Sequence, residues 1–262
     1  MEVTSLCKKE QWESRWAEAN TSELEFDPTK PSFREVHRIL SKYIPQQNGA
    51  RFLEVGAYPG KYLWYFHTYY GYEPWGVEYV ESCANEAQKL LDDAGIPAHV
   101  IACDFFNLSA SCHIKDAGWD LVGSFGFVEH FDEAEIVVSK HLDVTLPGGL
   151  VVVSIPNFAG WNGKIMRYAD QKKWKQHNCM SLKDLIHAFN RAGENKILFS
   201  GYAGHIGFWN TCVYEKAKER LGNFYPFFRG PLWLIERIGQ WIVPNNKYSS
   251  PVIVVITKKN AK

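Results

Sequence analysis

The chain has 262 residues, 46% of them apolar, enough to bury a sizeable core without disulfides or metals. Lysine plus arginine and aspartate plus glutamate each number 29, and this zero net charge argues against a general nucleic-acid or membrane-surface binder. The six cysteines, Cys7, Cys83, Cys103, Cys112, Cys179 and Cys212, form no C-x-x-C pair, which disfavours a zinc knuckle or thioredoxin-type site and predicts free thiols in a reducing compartment.

The N-terminus turns charged within a few residues, without a secretory apolar region, and no apolar run approaches the roughly 20 residues that span a bilayer, so a cytoplasmic location is expected. Residues 1–45 read as an amphipathic helical segment. Trp12 and Trp16 share one face, and Phe33, Val36, Ile39, Leu40 and Tyr43 form a second stripe that Pro45 ends. Short apolar runs then alternate with helical patterns. Arg51–Val55 is a predicted strand and Lys61–Tyr70 a helix; residues 75–79 are a strand and Glu81–Asp93 a helix. Residues 98–103 and 120–124 are strands, 133–144 a helix, 150–155 the most apolar strand, Leu182–Arg191 a helix, and 196–200 and 251–257 the last strands. This alternation predicts one α/β domain over residues 1–262, a doubly wound, mostly parallel sheet with helices on both faces. Two segments break the rhythm. Residues 156–180 are aromatic and basic, with Lys172, Lys173 and Lys175, and residues 201–249 carry a helical stretch near 211–221 and an apolar one near 232–243. Long connections of this kind read as lids or acceptor-binding insertions, or as a homodimer contact.

In a parallel sheet, ligands bind outside the carboxyl ends of the strands. The first strand runs Glu54-Val55-Gly56-Ala57-Tyr58-Pro59-Gly60 into a helix, and glycines at 56 and 60 let backbone pass close to a ligand. The second strand ends at Glu78 and Tyr79, where a carboxylate can accept both hydroxyls of a ribose. The third ends at Asp104 and Phe105; the fourth reaches Ser124 and Phe125, followed by Gly126-Phe127-Val128-Glu129-His130. Leu146-Pro147-Gly148-Gly149 then turns into the fifth strand, which ends Pro156-Asn157.

In order and spacing, these segments resemble class I, Rossmann-like S-adenosylmethionine-dependent methyltransferases of the small-molecule type. The resemblance covers roughly residues 50–200 and the last strand. It implies a seven-stranded sheet whose C-terminal strand, 251–257, is antiparallel, with S-adenosylmethionine as cofactor. It also implies that Glu54, Gly56, Tyr58 and Gly60 line the methionine part, that Glu78 holds the ribose, and that Asp104 bonds the adenine amino group with Phe105 packed on the ring; Tyr79, Ser124 and Phe125 complete the implied cofactor-binding set. Tyr58 stands where many members carry glycine and narrows the space beside the methionine moiety.

Methyl transfer to a hydroxyl needs a base. His130 is the candidate, with Glu129 beside it and Asn157 placed to orient an acceptor; a capping pair, Asp132 and Glu135, is expected to fix His130 ahead of a helix. Relatives that bind a divalent cation carry an acid where Gly126 stands, so no metal is expected. Trp161, His177 and His205, in the two insertions, are candidate acceptor contacts, whereas His67 and His141 fall within helices and read as structural. The wording around 124–131, 155–158 and 177–178 resembles enzymes of surface-polysaccharide or natural-product synthesis, which implies O-methylation of a glycan or small hydroxylated metabolite. N-methylation of a small amine or amide is one alternative, and a non-catalytic adenosyl-binding partner subunit is another. Nucleic acid is not an expected partner. Residues 231–243 are amphipathic and tryptophan-bearing, so membrane-surface docking is a possible reading, behind lid or dimer packing.

Overall fold

The computed structural model describes residues 3–17, 24, 26–108, 114 and 118–261. Seven strands form one sheet: β1 (Arg51–Val55), β2 (Glu73–Glu78), β3 (His99–Ala102), β4 (Trp119–Phe125), β5 (Thr145–Pro156), β6 (Asn195–Ala203) and β7 (Val252–Lys259). Their order is β3-β2-β1-β4-β5-β7-β6. The pairs β2–β3, β1–β2, β1–β4 and β4–β5 are parallel, and β7 runs antiparallel between β5 and β6. Sequential strands step outward from β1 to β3, then return to β1's other side at β4. That reversal opens a crevice at the carboxyl ends of β1 and β4.

The central strands are covered on both faces, so they read as continuous apolar runs; Val151, Val152 and Val153 are all fully buried. One face packs α5 (Ala134–Val144) and α8 (Leu182–Arg191) through Val137, Val138, Leu185 and Phe189 against Leu53, Val122 and Val151. The other packs α2 (Pro31–Tyr43) and α3 (Lys61–Tyr70) through Ile39, Leu40, Leu63 and Phe66 against Phe52, Leu121 and Val152. The α4 helix (Glu81–Asp93) follows β2 and packs against β3.

Several local expectations change. Among the described residues, the N-terminal segment carries α1 (Lys9–Ala17) and α2, the second started by Pro31, which has no N–H to donate; the Trp16 side chain lies outside the described residues. Residues 156–180 fold as α6 (Trp161–Ala169) and α7 (Gln171–Trp174), the second capped by the Asp170 carboxylate accepting from the Lys173 amide at 3.0 Å. Residues 204–251 carry α9 (Val213–Leu221) and α10 (Tyr225–Ile242). The expected cap by Asp132 and Glu135 does not form. The N-cap of α5 is Glu133, whose side chain makes no capping bond to the helix, and Glu135 pairs instead with Arg191 at 2.7 Å. Cys83 and Cys179 are free thiols, whereas Cys103 is disulfide-bonded, contrary to the expectation for all six cysteines.

Candidate functional site

A cavity of about 1050 Å³ opens at the carboxyl ends of β1, β2 and β4. Its floor is the bend between β1 and α3. Gly56 sits at φ +74° and lines the cavity, and a Cβ there would lie 2.9 Å from the Phe127 ring; Gly60 sits at φ +98°, packs against Leu91 outside the lining, and leads into α3. Both are left-handed conformations that side chains disfavour. The Tyr58 ring, expected beside the methionine part, packs against Val80, Cys83 and Ala87 on the α4 side and lines the cavity from there.

Two carboxylates stand under this bend. Glu78, at the tip of β2, lines the cavity; its Oε1 accepts the Val80 amide at 3.1 Å and its Oε2 the Tyr58 amide at 3.4 Å. Burial raises its pKa above the usual carboxylate value. Glu54 is 4% exposed, lies behind the lining rather than in it, and has an Oε2 without a hydrogen-bond partner. Desolvation, reinforced by the neighbouring Glu78 charge, pushes its pKa well up. A buried carboxylate with an unused oxygen fits an incoming ammonium.

The far wall is aromatic. Asp104 closes a turn by accepting the Phe106 amide at 2.9 Å, and Asp104, Phe105 and Phe106 all line the cavity. Phe106 and Phe127 face one another nearly parallel, with centroids 6.2 Å apart. Behind Phe105 lies His141, whose Nδ1–H donates to the Val137 carbonyl; burial pushes its pKa down to about 4, so this ring stays neutral. Phe125 lines the cavity with Tyr62 stacked on it at 3.4 Å, whereas Ser124 is fully buried and contributes no lining atom. Tyr79 is half-exposed at the rim, with the Lys9 ammonium over its ring at 5.1 Å.

The roof comes from residues 3–12, a role the sequence did not reveal. Ser5 forms a β-bridge with Phe131, the Leu6 amide donates to the His130 carbonyl at 2.8 Å, and the Asp132 amide donates to the Thr4 carbonyl at 3.3 Å. The Glu133 carboxylate accepts from both the amide and the hydroxyl of Thr4. This strap carries Cys7, Lys8, Lys9 and Trp12 into the cavity wall. Trp12 meets the His130 ring edge-on at 4.6 Å. His130 lies on a 3-10 turn (Val128–His130), is 2% exposed, and donates from Nδ1 to the Gln176 carbonyl at 2.8 Å. A carbonyl only accepts, so Nδ1 holds the proton and Nε2 is the basic nitrogen. Nε2 lies 3.8 Å from the Glu129 carboxylate. His130 therefore stands one side chain behind the cavity wall.

The remaining candidates lie elsewhere. His177 packs between His130 and Phe158, with ring distances of 4.6 and 4.9 Å, outside the lining. Asn157 donates to the Lys247 and Ser250 carbonyls and ties the end of β5 to the start of β7. Trp161 opens α6 half-exposed, beside Tyr248. His205, at φ 54°, clasps the loop after α10: its Nδ1–H donates to the Val243 carbonyl and its Nε2 lies 3.4 Å from Glu35. Among the described residues, neither 156–180 nor 201–249 lines this cavity, and no cluster of three or more His, Cys, Asp or Glu is arranged to hold a metal ion.

The profile of a methyltransferase domain matches residues 26–197. Among solved structures, a Galdieria sulphuraria protein described as a candidate sarcosine dimethylglycine methyltransferase superposes with a TM-score of 0.60 at 14% identity, over 86% of this chain and 84% of that one. The (4+2) cyclase SpnF superposes with a TM-score of 0.59 at 13% identity, over 87% and 80%. Haemonchus contortus phosphoethanolamine N-methyltransferase 2, in complex with S-adenosyl-L-methionine, gives 0.57 at 15% identity, over 85% of this chain and 51% of that one. No curated protein matches the chain in sequence. At such identities the likeness is one of fold, and fold alone does not set the acceptor.

Proposed function

The chain belongs to the methyltransferase-domain family, and on that premise we propose that it transfers a methyl group from S-adenosylmethionine to a hydroxyl of a small or glycan-type acceptor, with His130 as general base. When bound, the cofactor supplies a methyl group already activated by its sulfonium charge. Glu78 accepts the ribose hydroxyls, Glu54 takes the ammonium group, and Gly56 leaves room for the chain between them. Asp104, Phe105 and Tyr79 receive the adenine. The pairing of the strap with residues 130–133 supports reading the chain, 1–262, as one domain.

The single observation behind O-methylation is the buried Glu129–His130 pair, with its tautomer fixed by Gln176. A carboxylate near Nε2 stabilises the imidazolium that forms when the ring accepts a hydroxyl proton. The acceptor displaces Trp12 from the ring and takes its place. Lys8 and Lys9 on the rim suit an acceptor bearing phosphate or carboxylate.

His130→Ala is expected to lower the single-turnover rate on a hydroxyl acceptor by ~10² or more while leaving cofactor affinity unchanged. An amine acceptor needs less of a base. A much smaller drop would therefore favour N-methylation, and cofactor binding without turnover across a broad acceptor panel would favour a non-catalytic partner subunit.

A further inference from the structure

The connection from β6 to β7 leaves and returns at one end of the sheet. Ala203 pairs with Val252, and Val252 also pairs with Pro156 at the carboxyl end of β5. The helices α9 and α10 are therefore rooted at the cavity's end of the sheet. The inner side of α10 is fixed. Gly239 lies directly against Ile206, and the Glu236 carboxylate accepts the Phe208 amide at 2.6 Å and the Tyr214 hydroxyl at 2.7 Å.

The opposite side carries Phe227, Leu234, Ile235, Ile238, Trp241 and Ile242, whose spacing puts all six on one stripe. All are solvent-exposed, Phe227 and Trp241 at 79% each. A contiguous apolar face of this kind marks an interaction surface. The helix's single carboxylate, Glu236, is turned inward, and two cations flank the stripe: Arg237 over the Trp233 ring at 5.3 Å and Arg34 of α2 over the Trp241 ring at 5.5 Å. No helix among the described residues is long and apolar enough to cross a membrane.

We infer that α10 lies in the interface of a bilayer rich in anionic lipid, its aromatic and aliphatic stripe below the headgroups and its arginines among the phosphates. Three features favour lipid over a protein groove: the absence of any acid on the outward face, the arginine flanks, and the tryptophans beside them. Docking here turns the cavity's end of the sheet toward the membrane. The inference stands apart from the assignment of His130 and of the acceptor.

Flotation of the full chain with vesicles of phosphatidylcholine alone, and with a third of the lipid replaced by phosphatidylglycerol, tests it. The expected result is flotation with the anionic vesicles, reduced by high salt. The exposed-face variant Ile238→Gln/Trp241→Gln should lower the partition roughly tenfold or more and bind S-adenosylhomocysteine unchanged, which verifies its fold. Absence of flotation on both vesicles would overturn the inference. So would flotation that the variant leaves intact, or a concentration-dependent dimer that the variant dissolves without any vesicle binding.

Discussion

Replacing Glu78 by alanine is expected to weaken S-adenosylhomocysteine binding by about 3–5 kcal/mol, roughly 10²- to 10⁴-fold. Two charge-assisted hydrogen bonds to the ribose disappear, in a site where burial has already removed the water that would replace them. The same carboxylate orders the bend by accepting the Tyr58 and Val80 amides. Glu78→Gln keeps one acceptor oxygen and should fall between wild type and alanine. Titration calorimetry on both variants, with thermal melts to verify folding, makes the measurement. An alanine variant that binds within threefold of wild type would remove Glu78 from the site.

Glu54→Gln should act in opposite directions on stability and on binding. In the cofactor-free protein Glu54 is buried with one oxygen unsatisfied, and its pKa is well above the unfolded value of 4.5. For an acid shifted this way, stability is fully present below the unfolded pKa. It is lost as pH rises through the folded pKa, because the unfolded chain releases its proton first. Glutamine carries no proton to lose, so the variant's melting temperature should exceed that of wild type above that window. Binding should suffer, because the ammonium loses a charged partner worth about 1.5–3 kcal/mol, roughly 10- to 150-fold. The ammonium favours ionised Glu54, so wild-type binding should release a proton and weaken as pH falls below the cofactor-free pKa. Calorimetry in two buffers of different ionisation enthalpy reads that proton directly. In Glu54→Gln the Glu54 contribution to it should vanish. A variant both less stable and equally tight would contradict this role.

The sheet was legible because its strands are buried on both faces and spelled as apolar runs, with glycines and acids at their tips. Gly56, Glu78, Asp104 and Phe125 meet at one cavity because strand order alone brings strand ends together. The strap was not legible. Its pairing with residues 130–132 is a long-range backbone contact that leaves no local pattern, and Trp12 looks like any apolar residue of a short helix. Nor did the sequence show that the Asn157 amide nitrogen and the His205 Nδ1–H donate to the loop 243–250, since each bond goes to a carbonyl distant in the chain. The aromatic and basic character of 156–180 suggested a lid, yet α6 and α7 form there and point none of their residues into the cavity.

The central claim is that the acid at the tip of β2 and the bend at Gly56 and Gly60 hold an adenosyl sulfonium. Calorimetric titration of the intact chain with S-adenosylmethionine, S-adenosylhomocysteine, a nicotinamide dinucleotide and a flavin nucleotide tests it most directly. Saturable uptake of the two adenosyl ligands, with proton release, is the predicted result. No heat from either, alongside tight retention of a nicotinamide or flavin nucleotide, would contradict it.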